Sequence, residues 1–327
     1  MRSNERFAFV IPYYGQWPFY WPLWVASAAK NTGFDFFVLT NLPKPGPTPE
    51  NVHILPMTFS ELSHRLSEVV GFPLGKFAYH KLCDFKPFYG LAFHDLLQSY
   101  RYWGYCDVDL FFGDLGPLAE MAKSESFDFI SPFDYTVGHC TLVRNEARVN
   151  QIALTIPDLK SRCLEPDTTF MDEGGISETA VRAGNFTFGV VDRLIDEWRK
   201  PAPFLGATAQ PNGCISGLQG WFLLQYKNGK VLLYDNNLQA HEVLYFHFMG
   251  MKAARYWRDL AKCDREEFSF TSYGIVPGVL DPSSMQRNWF QARCWFAQAP
   301  GYAYRVFRNR IPDSIVRRIK QARRKDH

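Results

Sequence analysis

The sequence predicts an α/β fold with a mixed central sheet and flanking helices, and three observations point there. The chain opens in β-loop-α-β order. Short apolar runs then recur between loop signals, each too short to cross a membrane. The composition is that of a folded globular chain, with 46% hydrophobic and 21% charged residues over 327 positions.

Phe7 to Ile11 is a continuous apolar run that Pro12 stops, the pattern of a strand buried on both faces. A loop, Pro12-Tyr13-Tyr14-Gly15, leads to a helical segment from Trp21 to Lys30, and Phe34 to Asn41 reads as the second strand. Leu42 to Pro49 carries four prolines and is a surface loop. A helix is expected from about Asp84 to Leu97, with Phe85, Phe88, Tyr89, Ala92 and Leu96 on one face. Tyr102 to Phe112 reads as a strand running into an acidic loop, and Phe127–Ser131 and Cys140–Val143 as further short strands. Gly174-Gly175 is expected to be a flexible turn, with Ser177 capping a short helix over 178–183. Without internal repeat or low-complexity linker, the chain is expected to form one domain over 1–300, followed by a basic tail over 301–327.

The net charge of +3 is unevenly placed: residues 305–327 hold nine basic side chains against Asp313 and Asp326, so the tail is +7 and the rest −4. A mildly acidic body argues against nucleic acid as a partner, since such a domain lines its main face with basic residues. In the tail, Ile311, Ile315, Ile319 and Ala322 fall at helical spacing, and the expected amphipathic helix suits an anionic membrane surface. Seven cysteines without a C-x-x-C pair disfavour a disulfide framework and a zinc site, which leads to the expectation of a cytoplasmic protein, peripheral on the inner face of the cytoplasmic membrane. The aromatic share of 17% exceeds what a core needs, so some rings are expected in a cleft.

The sharpest chemical feature is Asp107 and Asp109, because side chains at i and i+2 of a strand share a face and two carboxylates there can grip one hard cation. They follow Tyr102-Trp103-Gly104-Tyr105-Cys106, so their charge meets an apolar wall, where a divalent ion would offset it. Two solvated acids on a loop are the bland alternative. Lys81, Asp84 and Lys86 gather at a predicted helix start, which favours anions, or else form an exposed ion-pair cluster. Asp172-Glu173 is the best acidic pair outside the Asp-x-Asp, although two carboxylates before a glycine pair also suit a solvated loop.

Three ordered segments, Phe9-Val10-Ile11-Pro12-Tyr13-Tyr14-Gly15, Tyr79-His80-Lys81-Leu82-Cys83-Asp84-Phe85-Lys86-Pro87 and Trp103-Gly104-Tyr105-Cys106-Asp107-Val108-Asp109, resemble those of GT-A fold (Rossmann-like) glycosyltransferases that build bacterial surface polysaccharides. The resemblance implies a nucleoside diphosphate sugar donor, a UDP-sugar foremost, bridged through Mn²⁺ or Mg²⁺ to Asp107 and Asp109, with a glycan or lipid-linked acceptor. It implies that residues 1–115 mainly bind the donor, while 116–300 serve the acceptor and close the site. Tyr245-Phe246-His247-Phe248-Met249-Gly250-Met251-Lys252 resembles the H-x-x-G-x-x-K element of retaining, metal-dependent members, with Lys252 one residue early. That assigns His247 to the metal and Gly250 and Lys252 to the diphosphate, with His241 a rival and a core histidine the plain alternative.

The same resemblance places Lys81, Asp84 and Lys86 along the donor, Tyr13 on its base and Thr40 or Asn41 at the base edge. His139 is a second choice for touching donor or acceptor. For the acid-base step, Glu173 is favoured over Asp172, because adjacent residues of an extended segment point opposite ways and Glu173 borders the glycines. A retaining hexosyl transfer is what the resemblance at His247 implies, with inversion by Asp172 or Glu173, a metal-dependent phosphohydrolase and a non-catalytic carbohydrate-binding protein as the other readings.

Overall fold

The computed structural model describes residues 7–124, 126–190, 195–196, 223–234, 238–248, 251–252, 254–271 and 274–283. Its strands β1 (Phe7–Pro12), β2 (Phe34–Thr40), β3 (Val52–Pro56) and β4 (Tyr102–Cys106) are followed by β5 (Leu110–Phe112), β6 (Phe129–Ser131), β7 (Cys140–Arg144) and β8 (Phe188–Val190). All but β5 make one seven-stranded sheet in the order β3-β2-β1-β4-β7-β6-β8. Within it β7 runs antiparallel to both neighbours, and the other pairings are parallel. This is the α/β fold with a mixed central sheet and flanking helices that the sequence predicts.

β1 and β2 are buried on both faces, and apolar but for Asp35 and Thr40, because helices cover both sides of the sheet. The helix Trp21–Ala29 has Pro22 in its first turn, where a missing N–H costs nothing, and buries Trp21, Leu23, Trp24 and Ala28. On the other face, Phe59–Val70 begins with a reciprocal capping box between Thr58 and Glu61 and ends at Gly71, whose φ of 81° suits glycine. Two apolar clusters result, and most of the aromatic surplus lies in them. Phe19, Tyr79 and Phe170 are the exposed aromatic exceptions among the described residues.

Three local expectations change. The helix expected over 84–97 is a chain of short turns, Leu82–Phe85, Lys86–Phe88, Tyr89–Ala92 and His94–Leu97. Pro87 removes a backbone donor in its middle, and Gly90 presses so close to Trp103 that a Cβ would lie 2.5 Å from the indole. The strand expected over 102–112 is two strands, with the Asp-x-Asp at the bend between them. The glycine turn at 174–175 belongs to a π-helical turn, Met171–Gly175, that runs directly into the helix Ile176–Ala183. Ser177 therefore lies inside that helix rather than at its cap; its hydroxyl accepts from Thr136 N–H at 2.9 Å.

A five-stranded antiparallel sheet, formed by Leu223–Lys227, Lys230–Tyr234, Ala240–Val243, Glu267–Thr271 and Gly274–Pro277, packs Phe268 and Phe270 into the same cluster as Phe111. A third, small sheet pairs β5 with the strand Tyr245–His247. No helix among the described residues is long and apolar enough to cross a membrane. The expected tail over 301–327, Gly250, Cys214 and Cys294 lie outside the described residues.

Candidate metal and donor site

β1, β2 and β4 are parallel, so their carboxyl ends share one edge of the sheet, where α/β proteins bind ligands. Tyr13, Thr40-Asn41 and Asp107 therefore converge from distant stretches of chain. Because β7 is antiparallel to β4, its amino end meets the same edge and brings Gly138 and His139 beside Asp107. The Asp107 N–H donates to the His139 carbonyl at 3.0 Å, extending the β4–β7 ladder.

The small sheet delivers the remaining groups. His247 pairs with Leu110, one residue past Asp109, and Phe248 N–H donates to the Asp109 carbonyl at 3.1 Å. Ligand atoms of Asp107, Asp109 and His247 thus lie within 4.8 Å of one another. Two hard carboxylates and an imidazole are a donor set that Mn²⁺ accepts and Mg²⁺ tolerates, so these residues fit the expected ion. The His139 ring stacks on His247 with centroids 4.4 Å apart and an interplanar angle of 16°. His241 lies instead on an outer strand of the five-stranded sheet, in register with Leu233.

Each aspartate carries a lysine. Lys86 Nζ sits 2.6 Å from Asp107 Oδ1 and donates to the Gly138 carbonyl at 2.8 Å. Lys252 Nζ lies 2.6 Å from Asp109 Oδ2, the same oxygen that faces His247 Nε2 at 3.5 Å. The Asp109 side chain is 3% exposed. Burial alone would raise its pKa, but His247 and Lys252 outweigh that and hold the carboxyl well below the usual range. Burial would likewise strip the proton from Lys86, yet Asp107 and Asp172 raise its pKa overall. The phenols of Tyr13 and Tyr20 are pushed up by burial and then by the field of Asp109.

Tyr13 stacks on Trp17 at 5.7 Å and offers a half-buried ring at the carboxyl end of β1. The Thr40 hydroxyl accepts from Leu42 N–H at 3.1 Å and is buried, while Asn41 beside it is exposed. Lys81 and Asp84 face inward. They form a fully buried pair at 2.7 Å, with Lys81 also donating to the carbonyls of Arg162 and Asp167. Asp84 accepts from the N–H groups of Thr169 and Met171. A donor would find neither side chain at the surface. The same commitment of Asp84 leaves the nearby Cys83, Asp84 and Asp172 grouping a poor metal site.

Asp172 and Glu173 differ in environment. Asp172 is buried against Gly138, where a Cβ would collide with its Oδ2, and Glu173 is partly exposed. Burial raises the Asp172 pKa to about 7; Lys86 opposes that rise while Glu173, Asp107 and Asp84 add to it. The hydroxyls of Thr136 and Tyr105 both donate to its backbone carbonyl, at 2.9 and 3.3 Å. Sequence reasoning passed over Gly138, Tyr20, Thr136 and Tyr105. Tyr105 alone carried a signal, being two residues before Asp107 on the same strand face.

Mouse xyloside xylosyltransferase 1, in its apo form, superposes with a TM-score of 0.36 at 10% identity, over 59% of this chain and 88% of that one. The glycosyltransferase GlyE of Streptococcus pneumoniae TIGR4 does so with a TM-score of 0.30 at 15% identity, over 58% of this chain and 45% of that one. No curated protein sequence matches the chain. Residues 9–279 match the family described as Family of unknown function (DUF6625), and the chain belongs to that family.

Proposed function

We propose that this protein is a metal-dependent glycosyltransferase that moves a hexose from a nucleoside diphosphate sugar, a UDP-sugar, to a glycan acceptor. The observation that carries this reading is the convergence of Asp107, Asp109 and His247, with ligand atoms within 4.8 Å, at the carboxyl edge of the central sheet. The resemblance of the segments around Tyr13, Lys86 and Asp107 to GT-A enzymes supports it. Bound there, Mn²⁺ or Mg²⁺ would draw charge from the diphosphate as it leaves. Asp107, Asp109 and His247 would hold the ion, Tyr13 would offer a ring to the base, and Asn41 lies exposed at the end of β2. Lys252 is half-exposed and able to turn toward a phosphate. The acceptor is a surface-polysaccharide or lipid-linked glycan, met with the basic tail against an anionic membrane.

Retention follows the His247 element. A second reading, inversion with Asp172 as base, is favoured by one observation: a carboxyl with a pKa near 7 is poised to take a hydroxyl proton at neutral pH. A thermal-shift screen of nucleotide sugars with and without Mn²⁺, followed by assay of nucleotide release, tests the proposal. Stabilisation by a UDP-sugar that needs Mn²⁺ is expected. Phosphate release from sugar phosphates would select a phosphohydrolase, and glycan binding indifferent to EDTA would select a carbohydrate-binding protein.

A further inference from the structure

The two lysines at the acidic pair are not equivalent. Lys86 is held at two points, Asp107 Oδ1 and the Gly138 carbonyl, and its side chain is 11% exposed. Lys252 is half-exposed, and its ammonium lies 2.6 Å from Asp109 Oδ2. That oxygen is also the Asp109 atom facing His247 Nε2, so a cation shared by Asp109 and His247 and the ammonium of Lys252 compete for one place. Asp109 is buried and would carry an uncompensated charge without one of them, which is costly.

We propose that Lys252 is an internal counter-ion occupying the cation position of Asp109, released when a diphosphate offers the ammonium another anion. Cation and nucleoside diphosphate then bind together, each favouring the other, because only their joint arrival satisfies both Asp109 and Lys252. The inference rests on the metal and donor reading above and adds to it an order: cation alone meets a competitor, and cation with diphosphate does not. Lys86 has no such part, since moving it would also strand the Gly138 carbonyl.

The test is a Mn²⁺ titration followed by electron paramagnetic resonance of the free ion, on the wild type, Lys252→Gln and Lys252→Arg, each alone and with UDP or GDP. Lys252→Gln should bind Mn²⁺ alone about fivefold more tightly than the wild type, the scale of one partly exposed ion pair. It should also lose most of the gain that the nucleotide gives the wild type. Lys252→Arg should keep both wild-type properties. Equal or weaker Mn²⁺ binding by Lys252→Gln, in a protein whose wild type still binds Mn²⁺ with nucleotide, overturns this inference alone. A wild type and variant that both ignore Mn²⁺ with either nucleotide overturn the metal reading, and this inference with it. Without Mn²⁺, Lys252→Gln strands the buried Asp109 carboxylate and should melt below the wild type, recovering when Mn²⁺ is added, while Lys252→Arg should melt with the wild type.

Discussion

Lys86 Nζ reaches Asp107 Oδ1 at 2.6 Å across a gap of 21 residues, and so ties the first acid of the Asp-x-Asp turn to the broken helix over 82–97. The breaks in that helix have a use. A continuous helix over 82–97 would have a different path, whereas the turn Lys86–Phe88 sets the Lys86 stem against the loop that carries Gly138.

Lys86→Met should therefore misplace Asp107 and leave the Gly138 carbonyl without its ammonium donor. The expected loss is about 1–3 kcal/mol of stability, the scale of an unsatisfied buried group. Mn²⁺ affinity should fall about tenfold, because a chelating carboxylate that wanders is a weaker ligand. Lys86→Arg should recover stability only in part, since a planar guanidinium differs in shape from the ammonium between Asp107 and Gly138. Urea unfolding and the Mn²⁺ titration check both statements.

Lys81 and Asp84 predict the opposite pattern. Removing one partner of a fully buried pair costs roughly 3–5 kcal/mol, since the other is left charged in the interior. Asp84→Asn should thus lower the melting temperature strongly while leaving nucleotide and Mn²⁺ affinity of the still-folded fraction unchanged. Isothermal titration with UDP and Mn²⁺ below the transition is the measurement, and a selective loss of donor affinity would return Asp84 to the donor.

That contrast shows what was legible in the sequence. The Asp-x-Asp and its flanking apolar run were visible because period-two patterning and local charge are written in adjacent residues. The α/β opening was visible for the same reason. Lys81, Asp84 and Lys86 looked alike because spacing along a helix does not tell which face turns inward, and here Lys81 and Asp84 are buried against residues 162–171, 81 and more positions away. The choice between Asp172 and Glu173 failed to show for a related reason. It assumed an extended segment, and the π turn Met171–Gly175 was invisible to periodicity. The His139–His247 stack depends on β7 running antiparallel, a fact of topology.

Metal dependence is tested at Asp109. Asp109→Asn keeps the shape but removes the charge shared by Lys252 and His247, so Mn²⁺-dependent donor stabilisation should vanish while the fold survives. EDTA should mimic it on the wild type, and added Mn²⁺ should reverse EDTA but not the substitution. His247→Ala should weaken the Mn²⁺ titration. An unchanged titration in that variant would leave His247 as a core residue stacked on His139.

Asp172 ties stability to pH with a definite sign. Its carboxyl ionises near 3.8 ordinarily and near 7 in the folded protein, so between these values the folded chain holds a proton that the unfolded chain has lost. Stability from this group is therefore present below about pH 4, falls as pH rises through the window to 7, and is gone above it. The wild type should melt progressively lower from pH 5 to 8, and Asp172→Asn, which stays neutral, should show a flatter profile over that range. If Asp172 also takes the acceptor proton, turnover should rise with an apparent pKa near 7, and Asp172→Asn should lower it by about 10²-fold or more with donor affinity nearly intact. Glu173→Gln should keep the shape of both profiles but move their midpoint to lower pH, because the Glu173 charge is one of the groups that raise the Asp172 pKa. A flattened melting profile with normal turnover in Asp172→Asn would make the carboxyl structural and leave retention, with no enzyme base for the acceptor, as the better account.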